Sequence, residues 1–170
     1  MKRRDFQILT LGSALSTAAL ARRKPPAPPP TAPPIDALSQ IKALRITTGP
    51  LANGYLIAPN GRLNWYFTNL GLIAIVAHLT PAELEICIRA YLDLYLSRIE
   101  SNYTIQDVNF NDATLQNITL VPSDSDNSYA ATLLSLVSRY LKASNNWAWW
   151  DLHKATLKNI AYANIATLQK

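Results

Sequence analysis

The sequence has few of the residues from which metal sites and disulfides are made. Its 170 residues include one cysteine, Cys87, and two histidines, His78 and His153. A single cysteine cannot form an intramolecular disulfide, and a structural zinc site needs more cysteine or histidine than this. We therefore predict that the protein binds no metal and uses no cofactor.

The folded part also lacks an excess of positive charge. The net charge of +5 comes from 16 Lys and Arg against 11 Asp and Glu, and residues 1–24 carry all of it. Residues 25–170 contain ten charged side chains of each sign. A surface that binds phosphates needs clustered basic residues. We therefore expect no nucleic-acid partner.

No apolar run is long enough to span a membrane. The run over residues 8–20 has about a dozen residues, whereas a membrane-spanning helix needs roughly 20. Basic residues precede this run and Ala19-Leu20-Ala21 follows it, which is the order of a signal peptide and its cleavage site. We predict a signal peptide over residues 1–21, with an amphipathic first helix packed on the domain as the alternative.

The start of this signal resembles the twin-arginine export signal. Arg3, Arg4 and Phe6 match its pattern of two arginines, any residue and Phe, while Gln7 and Ile8 depart from the usual continuation. Sec-dependent export therefore stays open as the alternative route. Either route implies a periplasmic or extracellular protein that contacts the membrane only through its signal segment.

Residues 22–34 are predicted to form a disordered tether that is basic at its start and rich in proline after it. Residues 25–34 hold seven of the eleven prolines. Proline removes backbone hydrogen-bond donors and favours the extended polyproline II conformation. The folded domain is therefore expected to occupy residues 35–170.

The first half of that domain contains two strong helix patterns. Residues 36–46 predict a short helical or extended segment, and the apolar residues 63–77 predict a buried helix. The residues Thr80-Pro81-Ala82-Glu83 form a capping-box pattern, which predicts a helix from there to about Glu100. The apolar positions of this helix share one face: Leu84, Ile88, Tyr91, Tyr95 and Ile99. The opposite stripe is polar: Glu85, Arg89, Asp93 and Ser97.

The second half changes from strands back to helices. Residues 108–110 and 118–121 predict two short strands on either side of a turn. A third helix follows residues 123–126, and a fourth is predicted from Trp147 to about Leu168. The third helix has one apolar face: Tyr129, Leu133, Leu136, Val137, Tyr140 and Leu141. We predict a mainly α-helical domain of two antiparallel helical hairpins, with a small strand insertion near residues 105–121.

One segment of the third helix resembles a known family. Residues 121–134 read VPSDSDNSYAATLL, and they are followed by a helix end with Tyr140 and by Trp147 at the start of the next helix. This order resembles bacterial proteins of the six-hairpin glycosidase type, and implies an (α/α)6 toroid whose inner helices surround a saccharide-binding funnel. Each hairpin has two helices, so a complete toroid needs about twelve. The four helices predicted here imply a truncated N-terminal part without a complete active site.

The resemblance also implies candidate substrate-binding residues. Asp124 and Asp126 would lie with Tyr129 at the mouth of the funnel, and Trp147 would offer a platform for a sugar ring. The alternative is a structural role. Asp and Ser are preferred at helix N-caps, and clustered tryptophans commonly pack in cores or interfaces.

Catalysis has weaker support in the sequence. Glycoside hydrolysis requires two carboxyl groups about 5 to 10 Å apart. The patterns assign Glu83 to the capping box and Glu85 to charge pairs along its helix, so no acid and base pair is evident. The catalytic residues stay unassigned, and the chain alone is expected to be inactive even if a complete toroid were a glycoside hydrolase.

Two functions follow from these patterns. The first is an exported carbohydrate-active protein, whose partner would be an oligo- or polysaccharide. The alternative is an exported helical interaction or structural module with no catalytic activity. Exposed apolar faces would allow self-association, and we expect them on the small-residue side of the third helix and at Trp149 or Trp150.

Overall fold

The computed structural model describes residues 36–52, 61–112, 114–123 and 126–168. Residues 35–170 form one compact unit that is distinct from residues 1–34. The predicted signal peptide with Arg3, Arg4 and Phe6, and the predicted tether, lie outside the described residues. The described part is mainly helical with a small antiparallel sheet, which confirms the mainly α-helical class. None of the helices in these ranges is long and apolar enough to cross a membrane.

Five helices and three strands make up the described unit. The helices are α1 (Ala37–Ala43), α2 (Trp65–Ile75), α3, α4 (Asp126–Ser144) and α5 (Trp147–Leu168). Helix α2 continues as a 3-10 turn, Val76–His78, and α3 consists of three consecutive segments, Pro81–Glu83, Leu84–Arg89 and Ala90–Ser97. The strands are β1 (Arg62–Leu63), β2 (Asp107–Phe110) and β3 (Ile118–Val121). Helix α4 is central, since it packs against both α2 and α5.

Asn64 caps the start of helix α2, and its side-chain oxygen accepts a hydrogen bond from the Phe67 amide at 3.1 Å. Its buried positions recur every three or four residues, as one face of a helix requires: Trp65, Thr68, Asn69, Leu72 and Ile75. The prediction of a buried helix is correct for this face only, because Phe67 is 66% exposed and Leu70 is 39% exposed.

Helix α3 begins with the predicted capping box. The Thr80 hydroxyl accepts from the Glu83 amide at 3.3 Å, and the Glu83 carboxylate accepts from the Thr80 amide at 2.9 Å. The helix ends at Ser97 rather than near Glu100. Its middle segment, Leu84–Arg89, is a π-helix, which the sequence did not predict. Four of the five predicted apolar positions are buried, and Ile99 is partly buried.

The sheet has the order β1–β2–β3, and each strand is antiparallel to its neighbour. The predicted pair of strands is confirmed as β2 and β3, with Asp107 opposite Val121. Strand β1 was not predicted, and it pairs Arg62 with Asn109. Because β1 leads directly into α2, this pairing fixes the start of α2 beside β2.

Helices α4 and α5 pack against each other. All six predicted apolar positions of α4 are buried, which confirms that face. The expectation that Trp149 is exposed was wrong, because it is 4% exposed and its ring packs 5.6 Å from the ring of Tyr140. Trp150 is partly buried. On the small-residue side of α4, Ala131 and Ser135 are exposed.

Candidate functional site

A small cleft lies between the loop that follows α3, the start of α4 and the last turns of α5. Its volume is about 50 Å³. We call it the Tyr103 cleft, and its described lining residues are Asn102, Tyr103, Thr104, Asp126, Asn127, Ala130, Ile160, Ala163 and Asn164. Six of these nine residues carry amide, hydroxyl or carboxylate groups, while apolar atoms supply most of the lining surface. The cleft therefore suits a ligand that has both hydrogen-bonding groups and an apolar face.

The loop side of the cleft is a tight turn closed by two backbone hydrogen bonds. The Tyr103 amide donates to the Glu100 carbonyl at 2.9 Å, and the Glu100 amide donates to the Thr104 carbonyl at 2.9 Å. Tyr103 has a φ of +66°, a left-handed conformation that is uncommon for a residue other than glycine. Strained backbone of this kind is common at functional sites.

Side-chain bonds hold the same loop in place. The Asn102 carbonyl oxygen accepts from the Thr104 amide at 3.1 Å and from the Thr104 hydroxyl at 2.8 Å. The Tyr103 hydroxyl accepts from the side-chain amide of Asn159 on α5 at 3.0 Å. Tyr103 as a whole residue is 37% exposed. The loop therefore presents an accessible aromatic ring whose position is fixed against α5.

The helix side of the cleft carries the acidic group. Asp126 lies in the first turn of α4, is exposed, and accepts a hydrogen bond from the Ser123 hydroxyl. Asn127 lies beside it and also lines the cleft. A carboxylate accepts hydrogen bonds, and an amide both donates and accepts, so the pair can bind neighbouring hydroxyl groups of one ligand.

The structure places the predicted substrate-binding residues in different environments. Asp126 lines the cleft, whereas Trp147 is 57% exposed at the start of α5 and is not among the lining residues. Tyr129 is buried, with its hydroxyl 3.0 Å from Asp107 Oδ2 and 2.8 Å from Asn64 Nδ2. Its ring therefore faces the core rather than the cleft. Asp124 lies outside the described residues.

Sequence reasoning missed most of the cleft. Asn102 and Tyr103 come from a loop, and Asn164 from the far end of α5, so no short motif contains them with Asp126. The available signal was the polar triplet Asn102-Tyr103-Thr104 directly after an apolar helix. Polar residues at a helix end indicate a loop, but not which side chains lie opposite that loop in the fold.

The carboxylate of Asp107 is fully buried and belongs to the core. Its Oδ2 accepts from Arg62 Nε at 3.0 Å and from Asn64 Nδ2 at 2.8 Å, and Tyr129 also bonds to it. Its Oδ1 accepts from the Trp65 amide at 3.2 Å. These hydrogen bonds offset the free-energy cost of burying a charged carboxylate. Asp107 therefore joins β1, β2, α2 and α4 rather than facing a ligand.

A second polar cluster joins α3 to α5. Arg89 donates to both Glu85 and Asp93, and the bond to Glu85 is the first cause of the raised pKa of Arg89. Asp93 also accepts from the Trp149 indole N–H at 2.6 Å. The ring of His153 packs 4.6 Å from the ring of Trp149. Both carboxylates are thus bound to Arg89, which favours a structural role for the cluster.

The Tyr103 cleft can bind through hydrogen bonds and one aromatic ring. Among the residues that the structure describes, no group of three or more His, Cys, Asp and Glu side chains could hold a metal ion. Burial raises the pKa of the Cys87 thiol, which favours its protonated and unreactive form. Comparisons with protein-family models, with curated proteins and with solved structures find no match to this chain.

Proposed function

We propose that this chain is an exported carbohydrate-active protein that binds a saccharide at the Tyr103 cleft. The observation that carries the proposal is the combination of an exposed tyrosine ring with a carboxylate and side-chain amides in one small cleft: Tyr103, Asp126, Asn102 and Asn127. The resemblance of residues 121–134 to six-hairpin glycosidases supports the same ligand class, and Asp126 belongs to that segment.

Sugars match this lining in two ways. Their hydroxyl groups both donate and accept hydrogen bonds, as the amides of Asn102 and Asn127 do, and they donate readily to a carboxylate such as Asp126. Their ring faces carry C–H groups that pack on aromatic rings, and Tyr103 offers such a ring. A cleft of about 50 Å³ has room for one edge of a sugar unit, so the rest of a bound oligosaccharide would lie along the surface.

The geometry favours binding over hydrolysis. Hydrolysis needs a second carboxyl group opposite the first, at about 5 to 10 Å. Asp126 is the acidic residue among the described lining residues. Elsewhere, Glu85 and Asp93 are both bound to Arg89, and Asp107 is enclosed in the core. We therefore assign the cleft a binding role and no catalytic residue.

Isothermal titration calorimetry of the purified protein tests the proposal. The probes are tetrasaccharides of β-linked glucose, α-linked glucose and N-acetylglucosamine, and we expect heat of binding with at least one. Asp126→Asn keeps the size of the side chain but removes its charge. We expect it to weaken binding about tenfold, because a charged acceptor strengthens a hydrogen bond by about 1 to 2 kcal/mol.

A matched control comes from another exposed aspartate at a helix start. Asp36 is the N-cap of α1, and its side chain accepts from the Ser39 amide. Asp36→Asn should leave the affinity unchanged. If no probe gives heat, or if both aspartate variants weaken binding equally, the cleft is not a saccharide site.

The alternative function, a helical interaction module, also has an observation in its favour. Helix α5 leaves several large apolar side chains exposed, including Trp147, Leu152, Tyr162 and Ile165. A contiguous exposed apolar surface commonly marks a site of protein association. The two functions use different surfaces, so one protein could have both.

A further inference from the structure

An apolar groove lies where the last turns of α4 pass the connection between α2 and α3. Its volume is about 390 Å³, within the range of about 300 to 1,000 Å³ that is usual for small-molecule sites. One wall consists of aliphatic side chains: Val76, Leu79, Pro81 and Leu84. The other wall is the exposed side of α4 near its C-terminal end. We call this site the α4 groove.

The aliphatic wall is fixed by the core beneath it. Val76 and Leu84 are buried, and Leu79 is partly buried and packs against the core. Helix α4 packs against the 3-10 turn Val76–His78, so the two walls are held together by direct contact. Sites for small apolar ligands are usually formed before the ligand binds. The α4 groove meets this condition, because its wall belongs to the packed core.

The α4 wall of the groove carries two positive charges, Arg139 and Lys142. They are three residues apart, so they lie on one face of the helix, about 4.5 Å apart along its axis. Both are exposed, and neither has an ion pair or a side-chain hydrogen bond within the part of the chain that the structure describes. The described lining also contains no acidic residue. The groove therefore matches a ligand with an apolar body and a negative charge at one end.

Another apolar groove lies between α4 and α5, but its charges already have partners. Two lysines line it, Lys154 and Lys158. Lys154 Nζ lies 2.8 Å from Asp151 Oδ1, and Lys158 Nζ lies 5.5 Å from the centre of the Tyr162 ring. An anion that bound there would compete with these contacts. The α4 groove is therefore the better site for an anionic ligand.

We propose that the α4 groove binds a free fatty acid. The guanidinium group of Arg139 can donate two parallel hydrogen bonds to one carboxylate, and Lys142 supplies a second positive charge beside it. The aliphatic wall contacts the hydrocarbon chain, which is removed from water. An anionic membrane surface suits this place less well, because segments that bind such surfaces usually gather about four to eight Lys and Arg residues.

The α4 groove is separate from the Tyr103 cleft. Asp126 of the cleft and Arg139 of the groove lie near opposite ends of α4, about 20 Å apart along the helix axis. Binding at one site can therefore be measured without disturbing the other, and the failure of one proposal leaves the other intact.

Isothermal titration calorimetry of the full chain with sodium decanoate tests the proposal, at concentrations too low for decanoate to form micelles. We expect saturable binding to one site. Octanoate lacks two methylene groups and should bind about tenfold more weakly, because burial of each methylene contributes to affinity. Decan-1-ol has the same chain without the charge and should also bind about tenfold more weakly. The absence of decanoate binding overturns the proposal, as does equal affinity for decanoate and either of the other two compounds.

Two double variants locate the binding site. Arg139→Gln with Lys142→Gln removes both charges from the α4 groove and should weaken decanoate binding about tenfold or more. Lys154→Gln with Lys158→Gln removes the same charge from α5 and is the matched control, which should leave the affinity unchanged. Circular dichroism checks that both variants keep their helix content. Equal affinities of the two double variants for decanoate would overturn the assignment to the α4 groove.

A vesicle experiment separates a free fatty acid from a membrane surface. We expect the full chain not to sediment with vesicles of phosphatidylglycerol and phosphatidylcholine. If it does sediment with them, and the variant with Arg139→Gln and Lys142→Gln does not, the two charges serve a membrane surface and the proposal is overturned.

Discussion

Glu83 takes part in two interactions that stabilise its charged form. One carboxylate oxygen accepts from the Thr80 amide in the capping box, and the other accepts from Lys42 on α1. These bonds lower the pKa of Glu83 from 4.5 to about 2, and the bond with Lys42 is the largest cause. The ion pair therefore links α1 to the start of α3 at neutral pH.

This pKa gives the stability of the protein a defined dependence on pH. The folded-state pKa lies below the unfolded value of 4.5, so the contribution of Glu83 is complete above that pH and is lost as the pH falls towards about 2. Glu83→Gln keeps an acceptor for the capping box but does not titrate. We expect urea unfolding to show a stability difference between the two proteins at pH 7 that shrinks at pH 3.

The matched control for this prediction is Glu100→Gln, since Glu100 is exposed and accepts from the side chains of Thr104 and Gln106, which carry no charge. A stability difference between the unchanged protein and Glu83→Gln that stays constant from pH 7 to pH 3 would contradict the role of the charge.

Single residues differed in how well the sequence predicted them. The buried positions of α4, such as Leu133 and Tyr140, could be predicted because apolar residues at helical spacing face the core. Asp107 could not be predicted, because an aspartate is usually exposed. Its burial depends on Arg62 and Tyr129, which are distant in sequence.

At the scale of whole elements, α3 shows how a helix can depart from a regular pattern. Within its π-helical segment, the Ala90 amide donates to the Glu85 carbonyl, five residues earlier. The wider turn accommodates one more residue than an α-helical turn does. Cys87 and Ile88 are both buried, whereas Ile86 is 43% exposed. Burial along α3 still follows α-helical spacing, so the sequence could predict the buried face but not the change in hydrogen-bond pattern.

The capping box at the start of α3 leads to a prediction about the free energy of unfolding. The Thr80 hydroxyl satisfies the Glu83 amide, which has no acceptor within the helix. Thr80→Ala should lower the free energy of unfolding by about 1 kcal/mol, the usual effect of losing an N-cap hydroxyl. Chemical denaturation measures the change. Thr47→Ala, at an exposed threonine outside any helix, is the control and should have little effect. Equal effects of the two substitutions would argue against the cap.

The strands were predicted to different degrees. Strands β2 and β3 have apolar and β-branched residues on both sides of a polar turn, which is a local hairpin signal. Strand β1 has two residues, Arg62 and Leu63, and a segment so short has no recognisable alternation. Strand β1 pairs with β2 only in the folded protein, so a local sequence pattern could not predict this strand.

At the scale of the whole molecule, the candidate site combines elements that are far apart in the chain. Asp126 is the one predicted site residue that lines the cleft among the described residues. Tyr103 and Asn164 join it only after α4 and α5 pack together and the loop closes against them. The mainly helical class could be predicted from local patterns, but the site depends on contacts between distant segments.

The N-terminal residues lead to a separate prediction about export. A reporter fused behind residues 1–30 should be translocated out of the bacterial cytoplasm. The exchange of Arg3 and Arg4 for lysine keeps the charge but removes the arginine pair that the twin-arginine pattern requires. We expect this double variant to abolish translocation, measured by cell fractionation. Translocation that survives the exchange would indicate the Sec route, and a reporter that stays in the cytoplasm without any exchange would contradict export.

The buried carboxylate of Asp107 also affects the order in which the chain can fold. The β2–β3 hairpin that carries it is local, but its partners Arg62 and Tyr129 lie 45 residues before and 22 residues after it. If the hairpin forms early, the Asp107 carboxylate stays in contact with water. The hairpin then gains its full stability only when α2 and α4 dock onto it. Until then, the charge would lie on an open edge of the hairpin, where charged side chains discourage pairing with strands of other chains. We therefore expect the Asp107 carboxylate to oppose aggregation of the chain before the core has formed.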